Sequence, residues 1–274
     1  MLEAEDPKKN PYVRKLFEEF PDARTLRGKW RSLFEQRGLS ARAELILEIG
    51  SSNGKYLNSI AEKNPNRNFI GMDWKYKQVY KSFQDAHKKK LKNTSFLRAD
   101  ASDLDQTFAP GEIDEVWIFF PDPWPKFKQQ KNRLLSEAFF LILAKLGVKR
   151  ICIKTDHPGY FQWILAHWGK EILLNNASHP PTELGANKLD NHAKQTALRS
   201  YENKDLPKSS AQLADAFKVE LITTDFWAAN IQALLHAQNP QKLFFTESTL
   251  FETLFQKDGL PVYYLELSLN AGHS

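Results

Sequence analysis

Cysteine is almost missing from this chain. Its one residue, Cys152, sits in an apolar, strand-like run, so an internal disulfide and a thiolate zinc cluster are both excluded, and a reducing cytosol is the natural compartment. No apolar run approaches the ~20 residues that a membrane-crossing helix requires. Residues 1–10 are polar and acidic where a secretory leader would carry an apolar core, so no membrane partner is expected. Neither sign of charge dominates. Lys and Arg total 38 against 33 acids, and the resulting +5 is consistent with a nucleic-acid partner without demanding one. No internal repeat and no obligate protein partner is evident. What is present is apolar residues at 42%, enough for a substantial core in 274 residues, which fit one large α/β domain or two small ones. The expectation is a soluble, cytoplasmic protein.

Along the chain, strand-like and helix-like segments alternate. Residues 11–36 carry Tyr12, Leu16, Phe20, Trp30, Leu33 and Phe34 at helical spacing among arginines and lysines, which sets residues 1–43 apart as a basic helical arm before a main domain at 44–274. Residues 44–50 (Glu-Leu-Ile-Leu-Glu-Ile-Gly) read as a strand ending in glycine. The turn Ser51-Ser52-Asn53-Gly54 and a helical pattern through Leu57, Ile60 and Ala61 follow, the opening of a nucleotide-binding βαβ unit. Two further strands end in acids, Asp73 and Asp100. An acid closing the second strand is placed to accept from a ribose diol, and one closing the third from an exocyclic adenine amine; either can instead cap the next helix. Residues 75–92 are a basic helical region whose charges read as a solvated face. Residues 132–146 read as an amphipathic helix, 150–154 as a buried strand ending at Thr155-Asp156, and 160–168 as another helix. A polar stretch at about 170–214 reads as an insertion or binding loop. Strand-like texture returns at 217–224, a helical pattern at 227–237, and a last strand at 261–267 after Gly259-Leu260-Pro261. The fold class expected is α/β: a mostly parallel sheet with helices on both faces and a C-terminal antiparallel hairpin.

The most distinctive stretch is Phe119-Phe120-Pro121-Asp122-Pro123-Trp124-Pro125-Lys126, with Lys128, Lys131 and Arg133 behind it. An apolar run, 116–120, stops at three prolines within five residues. Proline fixes its own φ and disfavours helical geometry in the residue before it, so Asp122 and Trp124 are expected in extended geometry on a stiff backbone at a strand's C-terminal end. In open parallel sheets that edge is where ligands bind. The plain alternative is a proline-rich surface turn.

In this order, Arg27-Gly28-Lys29-Trp30-Arg31, the segment 47–54, Phe69-Ile70-Gly71-Met72-Asp73, the segment 119–126, Thr155-Asp156 with Tyr160, Thr249-Leu250-Phe251-Glu252 and Gly259-Leu260-Pro261-Val262-Tyr263 resemble the bacterial tRNA (guanine-N7-)-methyltransferases. The resemblance covers most of 27–168 and 215–267. It implies a Rossmann-like methyltransferase sheet, S-adenosyl-L-methionine as cofactor, tRNA as partner, and methylation of N7 of a variable-loop guanine. It further implies that Glu48, Gly50, Gly54, Asp73 and Asp100 line the cofactor site and that Asp122 is the active-site carboxylate. Lys126, Asp156, Thr249 and Glu252 would contact the tRNA guanine region, and no metal is involved. Trp124 is expected to offer a stacking surface, and Lys126, Lys128, Lys131 and Arg133 to meet phosphates. Ser52 departs from the family's middle glycine, and the stretch after Trp168 is longer than the family pattern; it holds a faint imitation of the Thr249–Glu252 motif at residues 196–202. The rival readings are a non-catalytic RNA-binding protein on this fold and a methyltransferase acting on another RNA or an exocyclic amine.

Overall fold

The structure is a computed structural model that describes residues 11–12, 23–170, 206–223, 226–227, 248–258 and 260–271. Most of the arm before Ala23, residues 171–205 with their imitation motif, and the helical pattern after Trp227 lie outside the described residues.

Seven strands form one sheet in the order β3-β2-β1-β4-β5-β7-β6. They are β1 (Leu45–Ile49), β2 (Asn68–Asp73), β3 (Thr94–Arg98), β4 (Glu115–Phe119), β5 (Arg150–Thr155), β6 (Phe217–Thr223) and β7 (Tyr263–Leu269). The first five pair in parallel, and β7 runs antiparallel between β5 and β6. The antiparallel C-terminal pair expected from sequence is thus β6 with β7. Among the described residues, the element that precedes β7 is a helix, α8 (Leu250–Lys257), rather than a neighbouring strand, with Leu260 and Pro261 leading into β7.

β1 and β2 are buried at every residue, because both faces of the sheet are covered; this is why they read as continuous apolar runs and not as alternations. One face carries Leu45, Leu47, Val116, Ile118, Ile151 and Ile153. It packs under α1 (Trp30–Gln36), α5 (Glu137–Lys145) and α6 (Pro158–Ala166). The other carries Ile46, Phe69, Trp117 and Cys152 under α2 (Lys55–Lys63) and α3 (Tyr76–Lys88). A four-residue α4 (Leu104–Thr107) and α7 (Ala211–Ala216) complete the described helices. No helix among the described residues is long and apolar enough to cross a membrane.

The Arg27–Arg31 segment owes its shape to two acids far along the chain. Glu112 accepts from the N–H groups of Gly28 (2.8 Å), Trp30 (3.0 Å) and Ala109 (2.6 Å). The Trp30 indole donates to the Thr107 carbonyl and stacks on Phe108, while Arg31 pairs with Asp114 at 2.7 Å. Trp30 and Phe34 are part of the main core.

Two expectations need correction. The helix expected at 132–146 begins at Glu137: Arg133 is extended, Leu134 carries the 2.8 Å carbonyl bond to the Ser136 N–H, and Ser136 caps the helix by accepting from Phe139 N–H. The rule that a residue before proline is extended fails for Phe120 and Trp124, which have φ of +55° and +43°. Left-handed backbone at such side chains persists only where surrounding contacts hold it.

Candidate active site

The strand order reverses between β1 and β4, so the connections leaving their C-terminal ends diverge and open a crevice there. One wall is the turn after β1, the other the proline segment after β4.

On the β1 side the chain turns at Gly50, whose φ is +80° and whose N–H, with that of Ser51, bonds the Met72 carbonyl at 2.8 and 3.0 Å. A Cβ at Gly50 would meet no atom within 4 Å, so the turn faces open space. Ser52, where the family has glycine, adopts φ +49°; the steric cost of about 1–2 kcal/mol is offset on both sides of the residue. Its N–H donates to Asp73 Oδ2 (3.1 Å), and its carbonyl accepts from the Ser82 hydroxyl (3.0 Å). Gly54 combines φ +67° with a close approach, since a Cβ there would stand 2.5 Å from that of Ser82. Asp73 also accepts from the Lys75 N–H at 2.8 Å. Burial raises the Asp73 carboxyl, partly countered by these N–H donors. Asp100 is half-buried and caps the turn after β3, with Oδ1 accepting from both the Ser102 N–H and hydroxyl.

Glu48 is the unusual group on this side. It lies within β1, opposite Gly71 and Trp117, and its Oε2 is buried with no hydrogen-bond partner. Burial pushes its carboxyl up from 4.5 to about 8; Lys154 opposes the rise, while Asp73 and Glu252 add to it. A buried acceptor beside an open glycine turn is complementary to a cationic amine, which would satisfy Oε2 and return the carboxyl to its ionised form.

On the β4 side, the Phe120 N–H bonds the Lys154 carbonyl at 2.8 Å, extending the pairing with β5 one residue beyond the strand before the chain turns. The Phe120 ring packs on Phe251 and Phe255 of α8 at 5.8 and 5.5 Å. The prolines then carry Asp122 out to solvent, with Trp124 half-buried behind it. Arg133, expected at a phosphate, is only 3% exposed. Its guanidinium donates to the carbonyls of Pro123 (2.9 Å) and Trp124 (3.4 Å) and lies over the rings of Tyr160 and Trp163. A planar cation with several donors suits that task, clamping the Asp122 turn to α6.

The second anchor is Lys154, which sequence reasoning passed over as part of a buried strand. It is fully buried and pairs with Glu252 at 2.6 Å, over the rings of Phe119 and Phe226. Glu252 also accepts from the Thr249 N–H (2.8 Å), and its own N–H donates to the Thr249 hydroxyl (3.1 Å), closing a capping box at the start of α8. Thr249 and Glu252 therefore form a buried unit at the start of α8, with both Glu252 oxygens engaged inside the protein. Asp156, one residue past β5, and Lys126 are exposed. The available signal for Lys154 was a lone lysine closing an otherwise apolar strand.

Residues 42–207 match the family model described as "Putative methyltransferase". The chain is similar to the tRNA (guanine-N(7)-)-methyltransferase of Halalkalibacterium halodurans, 32% identical over 178 residues, which are 61% of this chain and 78% of that protein. It is also similar to that of Pediococcus pentosaceus, 29% identical over 57% of this chain and 74% of that protein. A bifunctional glycosyltransferase/methyltransferase of Fusobacterium nucleatum is 35% identical over 51% of this chain and 21% of its own length. The chain spans between 21% and 83% of the length of such curated relatives.

Proposed function

The chain belongs to this methyltransferase family, and on that premise we propose that it transfers the methyl group of S-adenosyl-L-methionine to N7 of a guanine in tRNA. The observation that carries the reading is the pairing, across one crevice, of Glu48, whose buried Oε2 has no hydrogen-bond partner, beside the open Gly50 turn with the clamped Asp122 turn.

S-adenosyl-L-methionine, when bound, supplies an electrophilic sulfonium methyl. Glu48 accepts from its amino group, which meets the orphaned Oε2. Asp73 retains lone pairs beyond its bonds to Ser52 and Lys75 with which to accept from a ribose hydroxyl. Guanine N7 carries an in-plane lone pair, so no base has to remove a proton before transfer. The protein's work is alignment and exclusion of water. Asp122 accepts from guanine N1–H and the exocyclic N2 amine, donors that adenine lacks in this pattern, and so fixes the plane of the base. Its negative charge also favours the positive charge that develops on the alkylated purine. Lys126 and Asp156, exposed at the same sheet edge, contact the surrounding nucleotide. Thr249 and Glu252 hold the start of α8 against β5 behind Phe120.

The test is nucleoside mass mapping after incubating the purified protein with S-adenosyl-L-methionine and unmodified tRNA. N7-methylguanosine is the expected product; a different methylated nucleoside, or none, overturns the assignment.

A further inference from the structure

Phe127 is the most exposed large apolar side chain among the described residues, at 71%. It opens a single 3-10 segment, Phe127–Asn132, which buries none of its residues and carries Lys126, Lys128 and Lys131 at or beside it, all exposed. None of these three lysines forms a salt bridge among the described residues. The segment is nonetheless held in place. Gln129 N–H bonds the Lys126 carbonyl at 2.8 Å, Arg133 N–H bonds the Gln130 carbonyl at 3.0 Å, and the buried Arg133 guanidinium ties the same residue back to Pro123 and Trp124. The backbone that carries Phe127 is therefore tied to the turn that carries Asp122, five positions earlier.

An aromatic face presented to water among uncommitted cations is the combination that holds an unpaired base: the ring stacks on the base, and the lysines meet the phosphates either side. We infer that Phe127 is a stacking platform for an unpaired nucleotide neighbouring the one held at Asp122, with Lys126, Lys128 and Lys131 on the flanking phosphates. This site deepens the reading that the substrate is tRNA, and rests on it. It would draw bases out of the loop around the target, so it favours single-stranded or looped RNA over duplex.

The measurement is the affinity of a fluorescently labelled, unmodified tRNA transcript for the full chain over a series of salt concentrations. Phe127→Ala is expected to weaken binding by about tenfold, within the range for one base–aromatic stack. The salt slope and the thermal midpoint should stay unchanged, because the lost contact is uncharged and the ring is solvated. Phe127→Trp should retain the affinity, whereas Lys128→Ala should lower the salt slope. A Phe127→Ala affinity within twofold of the wild type would overturn the platform. So would a loss of self-association in sedimentation with RNA affinity intact, which would assign the ring to a second copy of this chain. The two readings fail separately. A wild-type protein that binds tRNA through Phe127 but yields no N7-methylguanosine removes the catalytic assignment and leaves the platform, while an active enzyme indifferent to Phe127→Ala does the reverse.

Discussion

The two walls of the crevice are built on different principles. The β1 wall is held mostly by backbone groups: the N–H groups of Gly50 and Ser51 bond the Met72 carbonyl, and that of Ser52 bonds the Asp73 carboxylate. The β4 wall is held by the side chains of two buried cations. Lys154 reaches Glu252 across 98 positions, and Arg133 fixes a turn whose backbone departs from the conformation its prolines favour. Backbone bonding tolerates side-chain change; a buried ion pair does not, because removing one partner strands the other in a low-dielectric interior. The β4 wall should therefore be much the more fragile of the two.

The largest effect is expected from Lys154→Met. It leaves the Glu252 carboxylate buried and uncompensated, and should cost about 3–5 kcal/mol in urea denaturation. The double change Lys154→Met with Glu252→Gln should recover most of that loss. A single variant within 1 kcal/mol of wild type, where about 3–5 is expected, would show that the pair does not hold the wall.

Asp122→Ala should lower methyl transfer by about a hundredfold or more, as the proposed contact with guanine requires, while leaving the thermal midpoint unchanged, since the carboxylate is exposed. Single-turnover rates at saturating tRNA and cofactor check this, and a rate within threefold of wild type would remove Asp122 from the chemistry.

On the β1 wall the expected effect is a pH dependence. Empty, the native state holds on Glu48 a proton that the unfolded chain releases near 4.5, so this residue's contribution to stability declines as pH rises from there to about 8 and then levels. Binding of a cationic amine requires the ionised form. Cofactor affinity should therefore increase by about tenfold per pH unit below 8 and flatten above it. Calorimetry across that range should find Glu48→Gln weaker and flat; an equally steep profile in the variant would place the titrating group elsewhere.

The same division explains what could be read before folding. The Gly50–Gly54 turn and the acids closing β2 and β3 are local arrangements, and local periodicity and turn chemistry reveal them. The geometry of the Asp122 turn is not legible in this way. The pre-proline rule treats a dipeptide in isolation, whereas Phe120 and Trp124 are held at positive φ by packing on α8 and by the Arg133 clamp. Arg133 itself looked like one more cation in a basic run, because nothing along the chain says that Tyr160 and Trp163 will close over it.

By itself the sequence determined the alternation of strands and helices, the strand-end carboxylates and the proline-framed Asp122. These follow from apolar periodicity and the restricted dihedrals of glycine and proline, which act within a few residues. Tertiary structure alone decided which lysine would be buried, which arginine would serve as a clamp rather than a phosphate contact, and that Glu48 would be left with an unpartnered oxygen. Burial and charge pairing depend on what the fold brings in from far along the chain, and only the closed sheet fixes that.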